Sequence, residues 1–156
     1  MVSNPGKEAP IPDEEERMDV ETLVKELNEA LRCQYRSALQ YTLVAGSVTG
    51  VEYQGLGQEL AKFALADLED ARHLIEKIVA IGGEPTTEIA ELRFVKDPKE
   101  AFEWLIESET EVLEELQDSI APTGQEAASE AMEHRLEHTI MRKQEQVDLL
   151  LRATRA

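Results

Sequence analysis

Four stretches of the chain repeat apolar residues at intervals of three and four, the spacing that lines one face of an α-helix. The first, VETLVKELNEALRCQYRSALQYTLVAG, starts near Asp19 as N-cap and runs to about Ala45, with Gly46 closing it. A short connection, 46–55, leads to the second, GQELAKFALADLEDARHLIEKIVAI, which Gly82 and Gly83 stop, with Pro85 just beyond. The third opens on Asp97 as N-cap, Pro98 in the first helical position and Glu100 completing a capping box, and runs to about Ile120. Ala121-Pro122-Thr123 is a tight break. Thr123 and Glu126 form another capping box, and the fourth helix runs to about Arg152.

The connection lengths suggest a topology. Short first and third links favour antiparallel hairpins. The linker 82–96 reaches roughly 50 Å when extended, while a helix of about 25–30 residues is about 40–45 Å long. It is long enough to run the length of a bundle and start the third helix at the far end. The expected fold is all-α: a four-helix bundle of two antiparallel hairpins joined by a long crossover. Two hairpins joined by a flexible loop are the alternative. Residues 1–18, with Pro5, Pro10, Pro12 and the acidic run Asp13–Glu16, read as an extended arm ahead of a bundle at 19–156.

The stripes define the interior and also its exceptions. On the first helix the inward face is Leu23, Leu27, Ala30, Leu31, Gln34, Ala38, Tyr41 and Ala45; on the second, Leu60, Ala64, Asp67, Ala71, Leu74, Ile78 and Ile81. The third presents Ala101, Leu105, Glu109, Val112 and Leu116, and the fourth Met132, Leu136, Thr139, Lys143, Val147 and Leu150. Each stripe is interrupted: by Gln34, by Asp67 with Asp70 at its margin, by Glu109, and by Lys143 with Gln146 one turn on. A polar group in a core is costly unless it is paired, ligated or hydrogen-bonded. One such residue sets register or snorkels to an edge; the same exception on four helices points to one shared interior site.

Bulk properties narrow the function classes. The formal charge is −17, from 16 Lys and Arg against 33 Asp and Glu. Nucleic acid and anionic lipid need a basic surface, so neither is an expected partner. No apolar run approaches a membrane span. The N-terminus lacks the apolar core of a secretory signal, and the lone Cys33 cannot form an internal disulfide, so a reducing, cytoplasmic setting is expected. Phosphate loops, nucleophile elbows and Cys-x-x-Cys motifs are not found in the sequence. Carboxylates near Lys143 would raise its pKa, which argues against a Schiff-base role.

Inward carboxylates and imidazoles from four helices build dinuclear metal sites, with a Glu from each of two helices and a Glu-x-x-His from each of the others. Here the corresponding groups are Gln34, Asp67-x-x-Asp70, Glu109 and Lys143-x-x-Gln146. His73, His134 and His138 fall off the apolar stripes, which favours a solvated role; a register shift of one turn would bring His73 inward, and an interface would let His134 and His138 join Glu133 and Glu137 on a metal.

LNEALRCQYRSALQY resembles the first helix of bacterioferritin, IEKIVAIGGEP the end of its second, DPKEAFEWLIESETEVLEEL its third and RKQEQVDLLL its fourth. Over about residues 20–152 the chain is similar to the ferritin-like superfamily, closest to bacterioferritin and rubrerythrin-type bundles. The resemblance implies that Gln34 stands in the place of a Glu ligand, Asp67 and Asp70 in place of Glu and His, and Lys143 and Gln146 likewise, with Glu109 alone unchanged. Leu68 occupies the position of the haem-binding methionine, so no haem is expected, and the fifth helix of bacterioferritin is missing. Metal ligation, if retained, falls to Asp67, Asp70 and Glu109, with iron the candidate ion and no other cofactor expected. The leading expectation is a homo-oligomeric protein whose dinuclear ferroxidase site is degenerate and which acts in assembly or interaction. The alternative is an iron-handling protein that oxidises or stores Fe(II) through a shifted site using Glu109, Asp67, Asp70 and His73.

Overall fold

The computed structural model describes residues 17–125 and 127–155. Its helices are α1 (Val20–Ser47), α2 (Gln54–Ala80), α3 (Pro98–Asp118) and α4 (Ala127–Thr154), with single 3₁₀ turns at Val51–Tyr53 and Ala121–Thr123. Among the described residues there is no strand. Of the proposed N-terminal arm, residues 1–16 lie outside the described residues. Met18 packs against the core, so ordered packing starts before the bundle boundary read from the sequence. The Thr123–Glu126 capping box also falls partly outside, at Glu126; the Thr123 hydroxyl donates to Ile120 O at 2.7 Å.

The helix ends follow local chemistry. Asp19 accepts from Thr22 N at 3.1 Å and Asp97 from Glu100 N at 3.1 Å, each satisfying an orphan donor of a first turn. At the end of α2, Gly82 N donates to Val79 O at 3.0 Å and Gly83 N to Ile78 O at 2.8 Å, with Gly82 at φ 88°. That is a Schellman closure, and its left-handed residue favours glycine. Gly83 serves a different need: a Cβ there would come within 2.8 Å of Val24 on α1. The expected stop at Gly46 is corrected, since α1 continues to Ser47 and ends where Val48 turns extended. Gly46 is helical, and the left-handed glycine of this connection is Gly50, at φ 106°.

The crossover is the long one. Asn28, near the start of α1, donates to Glu84 O at 3.0 Å and accepts from Thr86 N at 2.8 Å. Three turns on, Gln40 donates to Arg93 O at 2.7 Å and accepts from Arg93 N at 3.0 Å. Between them Ala90 N reaches Arg32 O at 3.2 Å. Segment 82–96 therefore runs alongside α1 from one end to the other. The clamps satisfy extended backbone that has no strand partner. They also explain why Gln40, off the apolar stripe, is buried; Cys33, likewise off it, is buried with its thiol 3.8 Å from Glu111 on α3. Asn28→Ala or Gln40→Ala is expected to cost about 2 kcal/mol each and to speed hydrogen exchange at Thr86 or Arg93, respectively; unchanged exchange would contradict the clamp.

Two apolar clusters fill the interior. One gathers Leu23, Leu27, Leu31, Leu74, Ile78, Leu116 and Leu136; the other gathers Tyr41, Leu60, Phe102, Leu105 and Leu150. Gln34, Asp67, Glu109, Lys143 and Gln146, all 1% exposed or less, fall between them along every helix.

Candidate functional site

The polar layer is built from the middle turns of all four helices, and Lys143 is its centre. Its Nζ lies 3.0 Å from Asp67 Oδ1 on α2 and 2.6 Å from Glu109 Oε2 on α3. Gln146, one turn along α4, donates to the same Asp67 Oδ1 at 3.0 Å. Gln34 Nε2 donates to the Asp67 backbone carbonyl at 3.3 Å, so Gln34 joins the layer through the backbone of α2. The Tyr41 ring centroid lies 5.6 Å from Nζ, within the range of a cation–π contact.

Charge and burial act against each other here. Burial, the largest effect on Lys143, favours the neutral amine, but Asp67 and Glu109 together outweigh it and hold the pKa above its ordinary value. Asp67 is pushed up to about 6, chiefly by burial, with Lys143 pulling in the opposite direction and Glu109 adding to the rise. Tyr41 is raised well above its usual range by burial and then by the two carboxylates. The site is thus an ammonium between two carboxylates, one of which gains a proton just below neutrality. Folded Asp67 protonates near pH 6, against a reference near 3.8. Its contribution to stability is therefore fullest below about pH 3.8 and is lost as pH rises through about 6. Subtracting the urea stability of Asp67→Asn from that of wild type should give a difference that falls between pH 4 and 6.5. A flat difference would contradict the assignment.

The other proposed residues divide. Asp70 is buried and pairs with Arg142, Oδ1 to Nη1 3.4 Å, instead of with Lys143. Arg142 was outside the predicted interior because it is exposed and off the stripe. His73 sits between Glu69 and Glu76, 3.6 and 3.5 Å away, and His134 lies 3.6 Å from Glu137. His138 is exposed. Among the described residues, none of the three histidines pairs with a residue of the Lys143 layer. The sequence reading also missed Glu26, Glu115 and Asp118, at the α1–α3 groove, the one trio of potential metal ligands among the described residues whose donor atoms converge within 4.8 Å. Asp67, Asp70 and Glu109 do not converge in this way. Cys33 is buried, and burial above all pushes its thiol up to about 11, so it stays protonated and unreactive.

The sequence profile of the ferritin-like domain family matches residues 24–153. The chain belongs to the ferritin-like family. This ferritin-like domain is similar to a ferritin-like, diiron-carboxylate protein from Bacillus anthracis str. Ames, with TM-score 0.82 and 26% identity over 88% of this chain and 98% of that one. It shares its fold with Rhodobacter capsulatus bacterioferritin, described with a metal-free dinuclear site and haem iron, at TM-score 0.74 and 18% identity over 86% and 84% of the two chains. No curated protein matches it. The neighbours are described with diiron or dinuclear sites; the donors of the interior layer here suit such a centre poorly. Two ferrous ions need bridging carboxylates and imidazoles. Here the two central carboxylates face an ammonium and no imidazole enters the layer. Gln34 Oε1, Asp67 Oδ2, Glu109 Oε1 and Gln146 Oε1 are buried acceptors without a hydrogen-bond donor, but two of the four are amide oxygens, weak donors to iron. Among the described residues no helix is long and apolar enough to cross a membrane.

Proposed function

We propose that this ferritin-like protein is an oligomer in which an ammonium group has replaced the dinuclear metal centre, and that it serves in assembly or interaction without ordinary ferroxidase activity. The observation that carries this reading is the position of Lys143 Nζ, 3.0 Å from Asp67 and 2.6 Å from Glu109. A metal ion there would have to displace a buried cation that already neutralises the carboxylates it needs. The bundle is the working domain, with an acidic segment ahead of it. A cytoplasmic setting suits the unpaired, unreactive Cys33.

Oligomer formation is supported by the outer face of α1, α2 and the crossover. Leu65 and Leu68 are 70% and 53% exposed on α2, and Leu68 shares an apolar crevice with Leu39 and Ile89. Apolar surface of this kind marks an interface. Light scattering on the purified chain should give a mass well above 17.5 kDa; a monomer would remove this part of the proposal.

The metal part is tested by anaerobic Fe(II) calorimetry on wild type and Lys143→Met. Wild type should lack a tight interior site, and the variant should bind iron more tightly than wild type. Equal tight binding by both would contradict the reading. A second reading, iron handling at a site other than the Glu109, Asp67, Asp70 and His73 set expected from the sequence, draws support from the Glu26–Glu115–Asp118 trio, where Glu115 is raised by burial and then by Glu26 and Asp118. On that reading, iron binding would be lost in Glu115→Gln and unaffected at Lys143.

A further inference from the structure

On the face of the bundle away from the crossover, α2 and α4 border a crevice of about 340 Å³. On α2, Asp70 and Lys77 lie two turns apart. On α4, Arg135, His138 and Arg142 recur at intervals of three and four, so all point from one face into the same groove. In a chain with 33 carboxylates against 16 lysines and arginines, this groove is lined by three of those cations, two of the three histidines and one acid, Asp70.

That acid is already engaged by Arg142 at 3.4 Å. Lys77 and Arg135 are half-buried, and among the described residues neither has a carboxylate oxygen within 4.0 Å. Elsewhere in the chain, half-buried Arg32 and buried Arg36 and Lys143 each hold a carboxylate. Lys77, Arg135 and Arg142 against Asp70 leave two positive charges, three minus one, before either histidine takes a proton. Glu137, 3.6 Å from His134, and Glu69, whose carboxyl feels Arg142, border the groove, so the positive excess is local to Lys77, Arg135 and Arg142. The acidic border limits the ligand's size: Glu130, Glu133 and Glu137 line the adjoining surface of α4. A nucleic acid or an extended acidic peptide would meet them, whereas a compact anion would not.

We propose that the α2–α4 crevice binds a small oxyanion dianion of the phosphate class, held by Lys77, Arg135 and Arg142. Two guanidinium groups match such an anion through paired N–H donors, and the lysine supplies a point charge. The site lies outside the Lys143 layer and does not depend on whether that layer holds metal.

Equilibrium dialysis of labelled inorganic phosphate against the full chain, with ionic strength held constant by chloride, tests this directly. One saturable site per chain is expected, with Kd near or below about 1 mM. Lys77→Gln combined with Arg135→Gln should weaken it by about ten-fold or more, and each single change should weaken it less. The exposed pair Lys96→Gln and Lys99→Gln should leave it unchanged. Absence of saturable binding would overturn the proposal, as would wild-type binding in the crevice double variant or equal weakening in both double variants. Helical circular dichroism on each variant separates lost binding from lost folding.

Discussion

Replacing Lys143 by methionine is expected to lower the unfolding free energy by about 3–5 kcal/mol and the melting temperature by about 10 °C. Lys143 is 1% exposed, and removing its ammonium leaves Asp67 and Glu109 facing each other in the interior with no cation between them. Lys143 holds the Asp67 pKa down, so without it Asp67 should take up its proton at a higher pH than in wild type, and the loss should shrink as pH falls toward about 6. Adding Asp67→Asn and Glu109→Gln to Lys143→Met should recover most of the stability, because the cost comes from unpaired buried charge and not from lost packing. Urea denaturation of the single and triple variants checks this. A single variant as stable as wild type, or a triple variant no better than the single, would contradict a central role for the ion pairs.

The second large effect is a gain of function. Gln34→Glu, Asp67→Glu, Asp70→His, Lys143→Glu and Gln146→His, with Glu109 retained, would give the layer the carboxylate and imidazole set of a dinuclear centre. The apo form of this variant should be markedly less stable than wild type, since it gathers carboxylates without a counter-charge. Fe(II) should restore stability in a concentration-dependent way and bind at about two ions per chain. Melting curves with and without Fe(II) would show this as a shift present in the variant and absent in wild type. No shift in the variant would mean that more than these five side chains separates the bundle from a metal centre.

The fold was legible because each helix writes its inward face in a regular spacing, and the caps at Asp19 and Asp97 use the side chains that the spacing places at the boundaries. Gly46 misled because a glycine near a helix end only sometimes takes the left-handed conformation, and here Gly50 does so. The interior site was legible as a set of interruptions in which a lysine among carboxylates implied ion pairs; which carboxylates it takes was not. Periodicity places Gln34, Asp67, Glu109, Lys143 and Gln146 on inward faces without saying which atoms meet. Asp70 lies at the edge of its stripe, and a rotation of a few tens of degrees decides between Lys143 and Arg142; the folded chain takes Arg142. Asn28 and Gln40 hold the backbone of a segment more than fifty residues further along the chain, a pairing that local patterns do not encode.

The central claim is that Lys143 occupies the position where a metal centre would otherwise assemble. It is tested most directly by adding Fe(II) to the purified wild-type protein in air and following oxidation by absorbance, with metal analysis of the recovered protein. Oxidation no faster than the protein-free control, with no iron retained at the interior layer, is the predicted result. Fast oxidation with about two irons retained per chain would contradict it.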